Sequence, residues 1–165
     1  MITAGIDMGS RTVKVVFLEE LKVDGAPQLR WGVKGKHIMF PEDLDPDQAA
    51  DKAFEDALKG AGISRDQITR VVSTGSGRKQ VKFANADITE VGAGARGAVF
   101  MCPTAKTVVD VGAEEGRGVK ANAEGKVVDF AGNEKCAAGA GAFAESMSRA
   151  LQLSLKEFGE ASLRS

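Results

Sequence analysis

Tyrosine is absent from this chain, and Trp31 and His37 are the only residues of their kinds. A surface so poor in aromatic faces gives bases nothing to stack on, which argues against a single-strand binding platform. The formal net charge of −1 argues the same for duplexes, because no basic footprint exists for a phosphate backbone. No nucleic-acid partner is expected. A lone histidine without a cysteine or acid motif beside it reads as a loop or strand-end residue with no catalytic task. Cys102 and Cys136 are the two cysteines, too few for a disulfide framework, so a reducing, cytoplasmic setting is expected. No apolar run approaches the length of a membrane span. A strand pattern begins almost at Met1, so neither a signal peptide nor a membrane partner is expected.

Glycine, by contrast, is abundant, with 20 residues gathered mostly in turn-like positions. The most telling turn is in Gly5–Leu18, GIDMGSRTVKVVFL. Apolar residues lead into it and out of it, so it reads as a β-hairpin. Its turn region carries Asp7, Gly9, Ser10 and Lys14. Gly9 lets backbone approach a bulky anion. Turn N–H groups, the Ser10 hydroxyl and the Lys14 ammonium can then face phosphate oxygens. Asp7 suits a hydrated Mg²⁺, since two anions need a cation between them.

A second stretch follows the same plan. Val109–Val119 reads VDVGAEEGRGV, with Asp110, Gly112 and Arg117 answering Asp7, Gly9 and Lys14 at one constant offset. Internal repetition points to two half-domains with like hairpins and a nucleotide clamped between them.

The remaining chain alternates strands and helices. Strands are expected at Ile2–Ile6, Val13–Leu18, Leu29–Lys36 and Ile68–Ser73, and again at Thr107–Val111, Gly118–Ala121 and Lys126–Phe130. His37–Asp45 reads as a loop with Pro41 as breaker. Asp45-Pro46 opens a helix whose stripe is Ala49, Ala53, Phe54, Ala57 and Leu58. Thr74-Gly75-Ser-Gly-Arg78 follows a strand, and Thr74, Gly75 and Arg78 are expected near the nucleotide. Gly92–Gly97 matches G-x-G-x-x-G, but it sits mid-chain behind a poor strand, so a helix using its glycines for close packing is the better reading. Cys102 reads as a structural thiol. Cys136 precedes a helix expected at Ala142–Leu153, where a helix dipole would stabilise its thiolate. A further helix is expected within Ser154–Ser165.

Four segments together carry a family resemblance: GIDMGSRTVK (Gly5–Lys14), STGSGR (Ser73–Arg78), ITEVGAGARGA (Ile88–Ala98) with VVDVGA (Val108–Ala113), and NEKCAAGAGAF (Asn133–Phe143). The chain resembles the actin-like ATPases. More narrowly, it resembles the ATPase subunits of benzoyl-CoA reductase and the activators of 2-hydroxyacyl-CoA dehydratases. The resemblance implies an α/β, actin-like (ribonuclease H-like) ATPase fold built from duplicated βββαβα half-domains. These would span 1–105 and 106–165, the second cut short relative to the family.

By the same resemblance, the intact protein couples ATP hydrolysis to low-potential electron transfer toward a CoA-thioester reductase or dehydratase. Val-Gly-Ala at 111–113 and Ala-Arg-Gly-Ala at 95–98 favour the benzoyl-CoA reductase type. The implied site has Asp7, Asp110 and Glu114 as catalytic residues. Gly9, Ser10, Lys14, Thr74, Gly75, Gly112 and Arg117 would bind ATP or ADP, and Asp7 would hold Mg²⁺. Glu114 stands where the family has a water-orienting glutamine, and a carboxylate can order water as a base. Cys136 would ligate a [4Fe–4S] cluster shared across a homo- or heterodimer with a related ATPase subunit, two cysteines from each. The family's second cysteine lies past Ser165. The implied partners are the reductase or dehydratase subunits, with ferredoxin as electron donor. A small-molecule kinase of the same fold, a non-catalytic nucleotide-sensing scaffold, and a dinucleotide oxidoreductase resting on Gly92–Gly97 are the competing readings.

Overall fold

Alternating burial along the first strands fixes how the chain folds. In β1 (Ile2–Met8), Ala4, Ile6 and Met8 turn one way and are buried, while the residues between them are not. In β2 (Val13–Leu21), Val13, Val15 and Phe17 do the same. Period-two burial of this kind is what a sheet with one covered face requires. The computed structural model describes residues 1–22, 30–41, 44–113, 115–133 and 141–165. It divides into two units, Met1–Glu90 and Val91–Ser165.

The first unit holds a five-stranded sheet in the order β3-β2-β1-β4-β5, adding β3 (Arg30–Met39), β4 (Ile68–Thr74) and β5 (Ala86–Asp87). The first three strands form an antiparallel meander, and β4 then pairs with β1 in parallel. A parallel neighbour needs a crossover, supplied by α1 (Pro46–Ala61). Pro46 takes the first turn of α1, where its missing N–H costs nothing, and Gly62 ends it in the left-handed region. The expected stripe, Ala49, Ala53, Phe54, Ala57 and Leu58, is buried together with Ala50. Phe54 meets Phe17 edge-on, their centroids 5.5 Å apart at 73°. The small helix residues allow close approach to the sheet. A Cβ at Gly35 of β3 would stand 2.6 Å from that of Ala61, so this contact requires glycine.

β3 corrects one expectation. It runs through His37 to Met39, with His37 opposite Val15, where a loop was expected. Ladder pairing carries the strand up to the break made by Pro41.

α2 (Glu90–Met101) runs on from the last residue of the first unit, and the second unit then has a three-stranded antiparallel sheet in the order β6-β7-β8, made of β6 (Thr107–Val111), β7 (Gly116–Ala121) and β8 (Val127–Gly132). Ala95 of α2 packs with Val119 and Ala121 in a small core. Helices α3 (Gly141–Ala150) and α4 (Leu155–Ser162) follow. Ser154 caps α4, its hydroxyl accepting from Glu157 N–H while the Glu157 side chain reaches back to Ser154 N–H. Among the described residues, no helix is long and apolar enough to cross a membrane.

Two glycine readings are also corrected. Gly94 and Gly97 lie inside α2, and a Cβ on either would meet no described atom within 4 Å beyond the helix's own backbone, so neither packs closely against a described residue. A dinucleotide fingerprint needs its glycines in the strand-to-helix turn. Here the helix has already begun at Glu90, and β5 has only two residues.

Candidate functional site

Asp7 lies in β1, directly opposite Lys14 in β2. Lys14 Nζ donates to Asp7 Oδ2 at 2.9 Å, and both side chains keep substantial exposure, 47% and 35%. The turn between them closes by one backbone bond, Gly9 N–H to the Thr12 carbonyl at 3.1 Å. The Gly9 amide is therefore used in shaping the turn. Ser10 stands at its exposed tip.

Parallel pairing of β1 with β4 brings Thr74 opposite Asp7. Gly75 follows at φ 94°, a left-handed conformation that glycine accepts readily. A Cβ there would stand 2.6 Å from Asp7 Oδ1 and 2.4 Å from the Met8 carbonyl. Gly77 N–H donates to that same carbonyl at 2.9 Å. The Thr74–Arg78 segment is thus a second wall laid against the first hairpin.

Arg78 is held within this wall. Its guanidinium donates to Asp87 Oδ2 at 3.1 Å and to the Gly75 carbonyl at 3.2 Å. The buried Ser73 hydroxyl donates to the Arg78 carbonyl at 2.9 Å. Arg78 staples the wall together, with its charge already answered by Asp87. No sequence motif gave Asp87 this role; only the strand pairing does.

The second hairpin repeats these details in its own unit. Asp110 in β6 faces Arg117 in β7. Arg117 NH1 lies 3.7 Å from Asp110 Oδ2, and its Nε donates to Glu115 Oε2 at 3.0 Å. Gly112 N–H closes the turn on the Glu115 carbonyl at 2.8 Å. α3 then begins against this turn: Gly141 N–H donates to the Gly112 carbonyl at 2.9 Å and Ala142 N–H to that of Ala113 at 2.8 Å. Sequence reasoning missed this tie, although the Gly-Ala-Gly run before the helix is its signal. Glu114 and Cys136 lie outside the described residues.

Among the described residues, no group of three or more His, Cys, Asp or Glu is placed to hold a metal ion by itself. Mg²⁺ asks for less, one or two carboxylates with substrate phosphates and water completing its shell. The first hairpin fits that requirement. Asp7 is accessible, and Thr74, its partner in the register, has its Oγ1 buried with no hydrogen-bond partner among the described residues. A four-iron cluster needs four thiolates, and the chain has two cysteines in all, of which the described Cys102 is exposed, its Sγ 3.5 Å from the Thr104 hydroxyl. The described residues therefore do not furnish such a cluster.

The family model for the BadF/BadG/BcrA/BcrD ATPases matches residues 4–165. The chain belongs to the BadF/BadG/BcrA/BcrD ATPase family. It is 35% identical to the activator of lactoyl-CoA dehydratase from Anaerotignum propionicum, over 97% of this chain and 58% of that protein. It is 33% identical to one of the subunits of benzoyl-CoA reductase from Thauera aromatica, over 98% of this chain and 55% of that one. The solved structure of the activator of 2-hydroxyisocaproyl-CoA dehydratase from Clostridium difficile, with bound ADPNP, superposes with a TM-score of 0.84 at 28% identity, covering all of this chain and 57% of that one. The fold is accordingly the α/β, actin-like ATPase fold. The chain spans a little over half the length of the relatives it matches.

Proposed function

We propose that this chain is the nucleotide-binding part of an ATPase that drives an electron at low potential toward a CoA-thioester reductase or dehydratase. Gly9, Ser10, Lys14, Thr74 and Gly75 line the phosphate site on the first hairpin, Gly112 and Arg117 do so on the second, and Asp7 and Asp110 are its catalytic carboxylates. Asp7 holds Mg²⁺, which when bound neutralises phosphate charge. Lys14 releases part of its bond to Asp7 and turns toward phosphate oxygens. Arg117 supplies charge to phosphate from the second hairpin. Glu114 orients the attacking water. The half-domain division at 105/106 belongs to the same proposal.

One observation carries the coupling. The backbone of the Gly112–Ala113 turn accepts both N–H groups that open α3, the helix five residues past Cys136. A shift of that turn between ATP and ADP therefore pulls on the segment holding Cys136. In the intact protein we assign Cys136 as a ligand of a [4Fe–4S] cluster shared across a dimer with a related ATPase subunit. The cluster would supply one-electron storage, with ferredoxin as donor and a dehydratase or benzoyl-CoA-type reductase as acceptor.

The test is anaerobic purification of the full reading frame, with iron and sulfide measured beside ATP hydrolysis. The proposal expects a brown protein that hydrolyses ATP, and a Cys136→Ser variant that loses its colour while still binding ATP. A colourless protein that phosphorylates a small molecule overturns it in favour of a kinase.

A further inference from the structure

The Gly75 carbonyl accepts two N–H groups from one residue. The Arg78 backbone N–H reaches it at 3.2 Å, and one NH of the Arg78 guanidinium reaches it at the same distance. The Gly75 peptide cannot turn without loosening both. The guanidinium is aimed in turn by its Nε, which donates to Asp87 Oδ2 at 3.1 Å. Asp87 stands on firm backbone. It pairs with Ser73 at the end of β5, and the next residue, Ile88, donates its N–H to the Ser73 carbonyl at 2.9 Å. Two residues earlier, Asn85 donates its N–H to the Val71 carbonyl at 2.9 Å and accepts from the Val71 N–H at 2.7 Å. The segment that Asp87 steadies is softer. The ladder from β4 to β1 ends at Thr74, and the next residues include Gly75 at φ 94° and Gly77. Glycines make such a segment easy to rearrange. Thr74, with its buried and unpartnered Oγ1, leads into it.

We propose that Asp87 is a positioning residue for the nucleotide site: through Arg78 it fixes the Gly75 peptide, and so holds Thr74 and Gly75 against Asp7 where Mg-nucleotide binds. The inference rests on the nucleotide reading above. Asp87 acts without touching phosphate or metal. Arg78 works the same way, its charge answered by the carboxylate and its donor spent on the carbonyl. A charge-assisted bond of this kind fixes direction as well as distance. The two side chains are 28% and 46% exposed, so the pair adds little to global stability. Its effect falls on the placement of one peptide, and small displacements beside a bound ligand weaken its contacts disproportionately.

The test titrates Mg-ADPNP into the full reading frame and its variants, with amide exchange of the nucleotide-free protein beside it. Asp87→Ala should bind about fivefold more weakly. It should also exchange the Gly77 N–H, which ties the wall to the Met8 carbonyl, about tenfold faster, with the urea midpoint close to that of the wild type. Asp87→Asn keeps an oxygen acceptor for Arg78 Nε and should stay within about twofold of the wild type in both readings. Arg78→Met should bind at least as weakly as Asp87→Ala, and adding Asp87→Ala to it should cost nothing further, because Asp87 acts only through Arg78. Losses that add in the double variant overturn that route. An Asp87→Ala protein with wild-type affinity overturns the positioning role, whether its urea midpoint falls or holds. A wild-type protein without affinity for Mg-ADPNP overturns the nucleotide reading and this role with it, and is seen before any variant is made.

Discussion

Gly75 lies against Asp7 so closely that a Cβ on the glycine would stand 2.6 Å from the carboxylate oxygen Oδ1. The same added atom would meet the Met8 carbonyl at 2.4 Å, and the residue holds φ at 94°. The Met8 carbonyl is backbone and cannot move aside as a side-chain tip can. Gly75→Ala should therefore cost on the order of 3 kcal/mol, from strain at positive φ together with displaced backbone. It should also weaken Mg-ATP binding, because the wall beside Asp7 moves. Urea midpoints and nucleotide titration of the variant measure the two effects separately.

Gly94→Ala should do the opposite. The site is interior to α2 with open space around it among the described residues. Removing a helical glycine there should stabilise the second unit by about 0.5–1 kcal/mol. A destabilised variant by thermal melting would mean that this helix face is packed in solution.

The ion pair of Asp7 with Lys14 is exposed, so its removal should change stability by less than about 1 kcal/mol. Its effect on ligand should be larger. Asp7→Asn and Lys14→Met are each expected to lower Mg-ATP affinity at least tenfold, about 1.4 kcal/mol of binding free energy. The Asp7 variant should also lose its dependence on Mg²⁺ concentration. Calorimetric titration at several Mg²⁺ levels distinguishes the two variants.

These hairpins were legible in the sequence because period-two apolar runs and a turn glycine are local signals, and local signals repeat wherever the chain repeats. α1 was legible for the same reason, through Asp45-Pro46 at its start and its five-residue stripe. Strand partners are not local. Nothing within Ser73–Arg78 says that β4 lies beside β1 and β5, yet the first pairing brings Thr74 and Gly75 to Asp7 and the second brings Asp87 to Arg78. His37 was misread because Pro41 announces a break without saying where the ladder to β2 gives out. The glycines of α2 were misread because a motif fixes residue types and not the surface they face. Val109, Val111 and Phe130 stand in strands that the sequence marks and are exposed at 76%, 61% and 59%, since burial depends on what covers a sheet as well as on its pattern.

Acid should loosen α4 before the rest of the second unit. The Ser154 hydroxyl and backbone N–H hold the Glu157 carboxyl below its ordinary value. A depressed carboxyl contributes its stability above the unfolded value and loses it as pH falls through the folded one. The cap should accordingly persist at pH 6 and disappear below the usual glutamate range. Amide shifts of Ser154 and Glu157 followed by NMR from pH 7 to pH 2 check this, and Glu157→Gln should flatten the titration.

Amide exchange of the chain with and without saturating Mg-ADPNP tests the central claim most directly, because it reads each hairpin by itself. The account predicts slowed exchange in both turns, Gly9–Lys14 and Gly112–Arg117, and in the Thr74–Arg78 wall. Saturation by the nucleotide with neither turn protected, or with protection confined to segments away from both, would contradict it.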